Sequence, residues 1–428
     1  MARRINSVLK DVLNDIDKNN KKIEEIENKA KSFLDLLKKN LKNADIDADV
    51  FLGGSFAKDT MIDKKIYDID IFVRFGKKHY LQNYSDLTQS VLKKFRDLKI
   101  RRIHGSRDYF KIKISKDILF EIIPVKRVKK PEKAENITDL SYSHVKYVKK
   151  NTSKKKCDEI KLAKSFCYAN NCYGAESYIN GFSGYGLELL IIHYKSFLKF
   201  IKSIIKVKDK KLVIDMEKHY KNKRRILMDI NESKLHSPVI LVDPTHKTRN
   251  VLAALSEETF REFQKACKKF IKKPSVKSFE KKEINFEEKR KKAKQRKHEF
   301  IQLEAKTNKQ SGDVAGSKLK KFYNHLEEEI KEFFNVKEKG FKYNEKKTSN
   351  FFFVVKSNDE ILIKGPLKDQ KEHAKRFKKQ HKKTFTRKGR LYTKKKINFT
   401  SESFIKRWRL KNLKKLKEMS IISFRIVG

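Results

Sequence analysis

A glycine-rich segment followed by two aspartates on a predicted strand is the feature that most constrains the fold of this chain. A strand over Asp49–Leu52 runs into Gly53-Gly54-Ser55, and a second strand over residues 67–75 carries Asp68-Ile69-Asp70. Because side chains alternate along a strand, the two aspartates share one face, while the isoleucines point into the core. Two carboxylates ~4 Å apart repel each other by about 4 kcal/mol at an effective dielectric near 20. The pattern therefore predicts a sheet with a divalent cation at its carboxylate face.

The two glycines predict a phosphate-binding turn just before this strand. Glycine permits a close backbone approach, and the N–H groups at the start of a helix bind phosphate oxygens. We expect a helical turn over residues 55–60 that begins at Ser55, with the Ser55 hydroxyl and the Lys58 ammonium on it. A phosphate-binding turn followed by a metal-binding strand indicates nucleotidyl transfer.

A two-metal site needs a third carboxylate. Glu121 is the best candidate, because it is the lone acidic residue in the apolar strand predicted over residues 118–125, where a carboxylate is rarely left uncompensated. Asp59, Asp63 and Asp108 lie in less regular surroundings. The predicted metal ligands are therefore Asp68, Asp70 and Glu121, and the predicted metal is Mg²⁺, which favours one or two carboxylates together with substrate phosphates.

Apolar periodicity predicts the remaining elements. Residues 5–41 form two helices broken at Asn19-Asn20. Residues 272–310, rich in lysine and glutamate, are either a solvated linker or a strand-and-helix surface facing phosphates. A hairpin over residues 350–364 turns at Ser357-Asn358-Asp359. Other helices are predicted over residues 84–98, 143–150, 157–170, 186–205, 250–271 and 317–334, and other strands over 109–114 and 239–242, the latter a single buried strand.

The charge of the chain favours a polyanionic partner. The 428 residues include 106 Lys and Arg against 54 Asp and Glu, a formal net charge of +52. A field of this sign attracts nucleic acid, although a general lysine bias could supply part of it. The four cysteines lack the paired spacing of a zinc site, and no apolar run is long enough to span a bilayer. We expect a cytoplasmic protein with no membrane contact.

With these residues assembled, the chain resembles the archaeal-type, class I CCA-adding enzymes (tRNA nucleotidyltransferases). The resemblance covers nearly the whole chain. Class I poly(A) polymerases share the outline of the motifs at 53–60 and 68–73, so the later motifs are more specific. The motifs are Gly-Gly-Ser-Phe-Ala-Lys-Asp-Thr at 53–60, Asp-Ile-Asp-Ile-Phe-Val at 68–73, Tyr-Gly-Ala-Glu at 173–176, Gly-Phe-Ser-Gly-Tyr-Gly-Leu-Glu-Leu-Leu-Ile-Ile-His-Tyr at 181–194, Asp-Pro-Thr-His-Lys-Thr-Arg-Asn-Val at 243–251 and, more loosely, Gly365-Pro366 and Gly-Arg-Leu-Tyr at 389–392.

The resemblance implies an α+β multidomain fold. Its parts would be a nucleotidyltransferase (polymerase-beta-like) α/β head over residues 1–150, a helical, nucleotide-binding neck over 151–258, and an α/β body and tail over 259–428. The tail would be an insertion near residues 305–375. Body and tail would bind the acceptor and TΨC stems of tRNA. The oligomeric state is left open, a homodimer included.

The resemblance also assigns roles to residues. Asp68 and Asp70 would bind both metals, with Glu121 as the third ligand. Arg249 would face the base edge, where a guanidinium can donate two parallel hydrogen bonds to C or A. The triphosphate and sugar would be lined by Gly54, Ser55, Lys58, Ser141, His144, Lys164 and Tyr173. Three positions depart from the family pattern: Glu121 replaces an Asp, Ser141 a Thr, and His246 an acidic residue.

The predicted function is the template-independent addition of CCA to the 3′ end of tRNA from CTP and ATP. Two rival hypotheses stay open at this point. One is another template-independent polymerase, such as a poly(A)-type enzyme. The other is a non-catalytic RNA-binding protein with a relic head domain, against which the intact set Asp68, Asp70 and Glu121 argues.

Overall fold

The structure, a computed structural model, describes residues 2–17, 20–64, 66–208, 210–358 and 360–427. The chain divides into two compact units. Unit 1 comprises Met1–Ala175 and Ile179–Lys282, and unit 2 comprises Glu176–Tyr178 and Glu283–Gly428. In the described ranges no helix is both long and apolar enough to cross a membrane.

Unit 1 contains the following elements. Its helices are α1 (Ala2–Asp17), α2 (Asn20–Asn43), α3 (Tyr84–Leu92), α4 (Ser141–Asn151), α5 (Lys154–Ala169), α6 (Gly184–Tyr194), α7 (Phe197–Ile205), α8 (Lys223–Asp229) and α9 (Glu257–Lys272). Its strands are β1 (Ala48–Leu52), β2 (Tyr67–Phe75), β3 (Ile100–Ile103), β4 (Tyr109–Lys113), β5 (Ile118–Lys126), β6 (Leu212–Ile214), β7 (Val239–Asp243) and β8 (His246–Asn250).

A five-stranded sheet forms the first part of unit 1, in the order β1-β2-β5-β4-β3. β2 and β5 are parallel and the other pairs are antiparallel. Along β2 every second side chain is buried, as the alternating sequence predicts, and α2 and α3 pack in the same apolar cluster as this sheet. This arrangement places the motif-bearing strands at the middle of the sheet.

The second core of unit 1 is mainly helical. It gathers the buried apolar side chains of α5, α6, α7 and α9 with those of β7. Ile5, Leu9 and Val12 of α1 also pack here, although α1 lies within residues 1–150, the predicted head. The predicted boundary between residues 258 and 259 falls inside α9, whose phenylalanines are part of this core. The division into head, neck, body and tail stays a prediction.

Unit 2 consists of two further sheets and their helices. Its helices are α10 (Phe286–Gln295), α11 (Asp313–Lys331), α12 (Lys371–Gln380), α13 (Ser401–Lys411) and α14 (Leu413–Glu418). Its strands are β9 (Glu299–Thr307), β10 (Phe334–Tyr343), β11 (Thr348–Ser357), β12 (Glu360–Leu367), β13 (Thr384–Arg387), β14 (Arg390–Lys396) and β15 (Ile421–Ile426). The larger sheet has the order β10-β11-β9-β15 and the smaller one the order β12-β14-β13.

Several local predictions were wrong. The hairpin over residues 350–364 does not form, because β10 and β9 occupy both edges of β11, and β12 pairs with β14 instead. The helix predicted over 84–98 ends at Leu92. The helix over 186–205 is two helices, since Lys195 is left-handed (φ 69°) and the Ser196 hydroxyl begins α7 by accepting from Lys199 N.

Other corrections concern strands that the periodicity did not separate. Residues 246–250 form β8, so the helix predicted over 250–271 begins only at Glu257. β7 was predicted as a single strand but pairs with β6 and β8. Residues 286–307 form α10 and β9, which favours the strand-and-helix alternative for that part of the lysine-rich segment. Of the predicted turn Ser357-Asn358-Asp359, Asp359 lies outside the described residues, as does Asn19 of the predicted break.

Candidate active site

The three predicted carboxylates lie on adjacent parallel strands. In the β2–β5 register Asp70 is the partner of Glu121, and Asp68 is two residues earlier, beside Leu119. Neighbours in register point to the same face of a sheet, and Ile69 on the opposite face is fully buried. The structure therefore brings Asp68, Asp70 and Glu121 together on one face.

The electrostatics of these carboxylates favour an additional positive charge. Burial, together with the negative charges of Glu121 and Asp68, raises the pKa of Asp70 to about 7. Burial also raises the pKa of Glu121, although the Lys111 ammonium, 2.7 Å away, opposes that shift. One lysine contact thus serves a face with three carboxylates. A bound divalent cation would offset the remaining repulsion, so this donor set fits a metal.

The metal would not be enclosed by protein alone. Among the residues that the structure describes, no group of three or more His, Cys, Asp or Glu side chains is already arranged around a metal position. Asp68 is exposed, and Asp70 and Glu121 are half-buried. Magnesium usually keeps several waters and bridges one or two carboxylates to substrate phosphates, which suits an open face of this kind.

The glycine-rich segment lies directly against Asp70. Gly53 N donates to Asp70 O over 2.8 Å. Gly54 has a φ of +59°, and a Cβ added there would lie 1.7 Å from Asp70 Oδ2. The helical turn predicted to begin at Ser55 differs in the structure: residues 54–59 are hydrogen-bonded turns, in which Ala57 N donates to Gly53 O, and they end at left-handed Asp59 (φ 51°). Ser55 is half-buried, and its carbonyl accepts from Thr60 N.

Two of the predicted phosphate-binding lysines share one buried carboxylate. Lys58 Nζ is 2.6 Å from Glu188 Oε2, and Lys164 Nζ is 2.7 Å from Glu188 Oε1. Glu188 belongs to α6, and its pKa is lowered to about 2, because the two ammoniums outweigh the effect of burial. Glu188 was not predicted as a site residue, although it is the lone acidic residue in the apolar helix 184–194, the same signal that identified Glu121.

A second buried carboxylate joins His144 to Arg249. Arg249 Nη1 donates to Asp243 Oδ2 over 2.6 Å, and His144 Nε2 lies 3.1 Å from the same oxygen. The other carboxylate oxygen accepts from the Tyr185 hydroxyl (3.2 Å), and the Tyr185 ring stacks on His144 at 4.1 Å. Burial lowers the pKa of His144, so its neutral form is favoured. Asp243 and Tyr185 were missed as individual residues, although both lie in the quoted motifs.

The remaining predicted residues, Tyr173 and Ser141, lie beside these clusters. Tyr173 precedes α6, and a Cβ added at Gly184 would be 3.0 Å from its hydroxyl. The Lys64 ammonium lies 4.9 Å from the centroid of the Tyr173 ring. Ser141 begins α4 three residues before His144, a spacing that places both on one helix face.

Comparison with known proteins agrees with this geometry. Residues 30–158 match the nucleotidyltransferase domain family, and residues 158–280 match the family described as tRNA nucleotidyltransferase, second domain. The CCA-adding enzyme of Nanoarchaeum equitans is 44% identical over 232 residues, which are 54% of this chain and 57% of that protein. The chain is a homologue of the archaeal CCA-adding enzymes.

Longer but weaker matches extend this homology. The CCA-adding enzyme of Methanocaldococcus jannaschii is 29% identical over 91% of this chain and 87% of its own length. That of Sulfurisphaera tokodaii is 31% identical over 64% of this chain and 61% of its own length. The resemblance inferred from the motifs is thereby confirmed, and with it the nucleotidyltransferase fold and the assignment as an enzyme.

Solved structures support the fold alone. A cytoplasmic RNA terminal U-transferase superposes with a TM-score of 0.50 at 12% identity, covering 66% of this chain and 99% of that one. A mutant of the Cid1 poly(U) polymerase bound to MgATP also has a TM-score of 0.50, at 13% identity, covering 64% of this chain and 98% of that one. At this identity the likeness indicates a shared fold. The nucleotidyltransferase domain family that residues 30–158 match generally uses divalent metals.

Proposed function

We propose that this homologue adds CCA to the 3′ end of tRNA, using CTP twice and then ATP, without a nucleic-acid template. The observation that carries the proposal is the register of β2 and β5, which sets Asp70 beside Glu121 in a chain whose homology to CCA-adding enzymes extends over 91% of its length. The reaction is in-line attack of the terminal 3′ hydroxyl on the α-phosphate, with pyrophosphate leaving.

Mg²⁺ is the proposed cofactor, and Asp68, Asp70 and Glu121 are its proposed ligands. Bound there, it would lower the pKa of the attacking hydroxyl and stabilise the charge on the leaving pyrophosphate. Gly54 supports this assignment. Because it has no Cβ, the Asp70 carboxylate can lie directly against the turn that would bind the phosphates. Lys111 holds Glu121 in position through its 2.7 Å contact.

The nucleotide-binding roles are proposed for the residues that line the two buried carboxylate clusters. Lys58 supplies positive charge to the triphosphate beside Gly54 and Ser55. Lys164, which is more deeply buried and contacts the same Glu188, adds to this positive charge. Tyr173 packs on the ribose. Arg249, oriented by Asp243, faces the base edge and donates to the ring nitrogen that accepts in C and A (N3 and N1), where U and G carry an N–H donor instead. His144 and Ser141 complete the sugar and phosphate contacts from α4.

The RNA-binding role is proposed for residues 259–428, as body and tail on the acceptor and TΨC stems, with 1–150 as head and 151–258 as neck. The charge of α12 supports this assignment: all its basic residues, Lys371, Lys375, Arg376, Lys378 and Lys379, are exposed. Such a surface recognises phosphates and the A-form shape of the stems, because duplex RNA hides its base edges in a deep, narrow groove. We place the reaction in the cytoplasm.

The deciding experiment is Mg²⁺-dependent incorporation of labelled CTP into a tRNA that lacks its CCA end. The expected product is extended by three nucleotides and no further. A ladder of A would instead support a poly(A)-type enzyme. Asp68→Ala is the matched variant: activity at the wild-type level in that variant would contradict the proposed site, and no incorporation by the unaltered chain would favour a non-catalytic RNA-binding protein.

A further inference from the structure

Glu188 forms the centre of a buried charge cluster that connects three separate segments of unit 1. Its two carboxylate oxygens contact Lys58, from the turn after β1, and Lys164, on α5. Oε1 also accepts from the Thr60 hydroxyl over 2.7 Å. Each of these four side chains is at least nine-tenths buried. The cluster therefore fixes the glycine-rich turn on the two helices.

The charges of this cluster do not cancel. Two ammoniums share one carboxylate, which leaves one buried positive charge without a partner inside the cluster. Buried charges in proteins are paired or bind a ligand. The missing partner is thus an anion. Lys58 is the most exposed of the four side chains, at 7%, and it belongs to the same turn as Gly54 and Ser55, where Gly54 lies against Asp70.

The two lysines differ in how many of their hydrogens are available. Lys164 Nζ contacts Glu188 Oε1, Thr60 Oγ1 at 2.8 Å and Thr60 O at 3.1 Å, and an ammonium has only three hydrogens to donate. With the residues that the structure describes, Lys58 Nζ makes one hydrogen bond, the one to Glu188, which leaves two hydrogens for a ligand. Lys58 is consequently the lysine able to bind an anion directly, while Lys164 acts through Glu188 and Thr60.

We propose that Glu188 is a positioning residue for the nucleoside triphosphate: together with Lys164 and Thr60 it holds the Lys58 ammonium in place for the β- and γ-phosphates. The inference rests on the proposed function in that the bound anion is a nucleoside triphosphate. Its neighbours restrain Glu188 further, since Leu187, Leu189 and Leu190 are all fully buried. The lysine side chain is a flexible four-carbon arm, and immobilising it on binding costs conformational entropy. Because Glu188 already holds the Lys58 ammonium in place, that entropy is not lost when the triphosphate binds.

The test is an equilibrium binding measurement on the full-length protein with CTP and with CMP, both without tRNA. Because CTP and CMP differ only in the β- and γ-phosphates, the ratio of the two affinities measures what these phosphates contribute to binding. In Glu188→Gln the CTP:CMP ratio is expected to fall about tenfold or more, the effect of losing one well-placed charged hydrogen bond. Glu188→Asp keeps the charge on a shorter arm and is expected to recover part of the ratio.

Glu159→Gln is the matched control, because Glu159 is a carboxylate of α5, the helix that carries Lys164, and its partner is the backbone N of Phe197 at the start of α7. A purely structural role of Glu188 would lower CTP and CMP affinity together, as a smaller folded fraction does, and would leave their ratio unchanged. An unchanged ratio, or tighter CTP binding in Glu188→Gln, overturns the proposal. Should Glu188→Gln not fold, an unchanged ratio in Glu188→Asp overturns it equally.

The outcome is separable from that of the proposed function. Wild-type protein that binds CTP but adds no nucleotide to tRNA would contradict the CCA-adding activity and leave the role of Glu188 standing. Normal addition of CCA by the wild-type protein, together with an unchanged CTP:CMP affinity ratio in both Glu188 variants, would support the CCA-adding activity and overturn the role of Glu188.

Discussion

Asp70 on β2 is the register partner of Glu121 on the parallel strand β5, so two carboxylates lie side by side at the centre of the sheet. Burial raises the pKa of both groups, and repulsion adds to the shift, from Glu121 and Asp68 at Asp70 and from Asp68 at Glu121. Of these two carboxylates, it is Glu121 that forms an ion pair with Lys111, at 2.7 Å. Without a metal, this pair of carboxylates therefore lowers the stability of the fold, and neutralising one of them should raise it.

We expect Asp70→Asn to stabilise the metal-free protein above neutral pH. The pKa of Asp70 rises from 3.8 to about 7 on folding, so the folded state binds more protons between these values. Stability consequently falls as pH rises from about 4 to about 7, and the loss is complete above that window, amounting to no more than about 4 kcal/mol. Urea unfolding in EDTA at pH 5 and pH 8 measures the effect. Identical pH dependence in wild type and Asp70→Asn would contradict it.

The same substitution is expected to remove catalysis although it stabilises the fold. Losing one metal ligand costs several kcal/mol of transition-state stabilisation, which is at least about a thousandfold in rate. Labelled-CTP incorporation at saturating tRNA gives the rate. A variant that is more stable and inactive separates the metal site from folding, whereas near-normal incorporation would show that Asp70 is not a ligand.

Gly54→Ala is expected to abolish nucleotide addition through displacement of Asp70. The new Cβ would lie 1.7 Å from Asp70 Oδ2 at a φ of +59°. Gly389→Ala, in the turn between β13 and β14, is the control, because its φ is +72° and nothing lies within 4 Å of the added Cβ. Both variants carry the left-handed strain of about 1–2 kcal/mol, so both melting temperatures should fall, and only Gly54→Ala adds the collision with Asp70. Equal CTP incorporation by the two variants would contradict the collision.

The face that carries Asp68, Asp70 and Glu121 was predictable because its signals are local. Alternation along residues 67–75 places Asp68 and Asp70 on one face, and a lone glutamate in an apolar strand identifies Glu121. Strand partners are not local: β11 and β12 were both predicted as strands, but their pairing depends on which edges β9, β10 and β14 occupy. The turn at Ser357-Asn358 therefore gave no information about partners.

The buried supports of the site were not predictable for a related reason. Glu188 contacts Lys58, 130 residues earlier in the chain, and Asp243 contacts His144, 99 residues earlier. The sequence shows that a carboxylate inside an apolar helix needs a partner, but several lysines could serve as that partner. Only the packing of the turn after β1 on α5 and α6 selects Lys58 and Lys164.

Arg249→Lys is expected to weaken base discrimination more than it weakens activity. The guanidinium is held by Asp243 at 2.6 Å, which leaves its planar edge in a fixed orientation. An ammonium cannot donate two parallel hydrogen bonds, so UTP misincorporation relative to CTP should rise about tenfold, the value of one such bond. Arg261→Lys, whose arginine pairs with Glu257 on α9, is the control. Unchanged CTP:UTP selectivity in Arg249→Lys would assign base selection to other groups.

The exposed lysines of α12 are expected to contribute to RNA affinity in a salt-dependent way. Lys375, Lys378 and Lys379 lie on the exposed side of this helix, while Ala374 faces inward. Each phosphate contact adds about 1 to the slope of log K against log salt, so replacing all three by serine should lower that slope by at most about 3. Replacing Lys38, Lys39 and Lys42 of α2 removes the same charge from unit 1 and is the control. Binding of tRNA at several salt concentrations measures the slopes, and equal reductions in the two triple variants would indicate that net charge, rather than contact at α12, drives RNA binding.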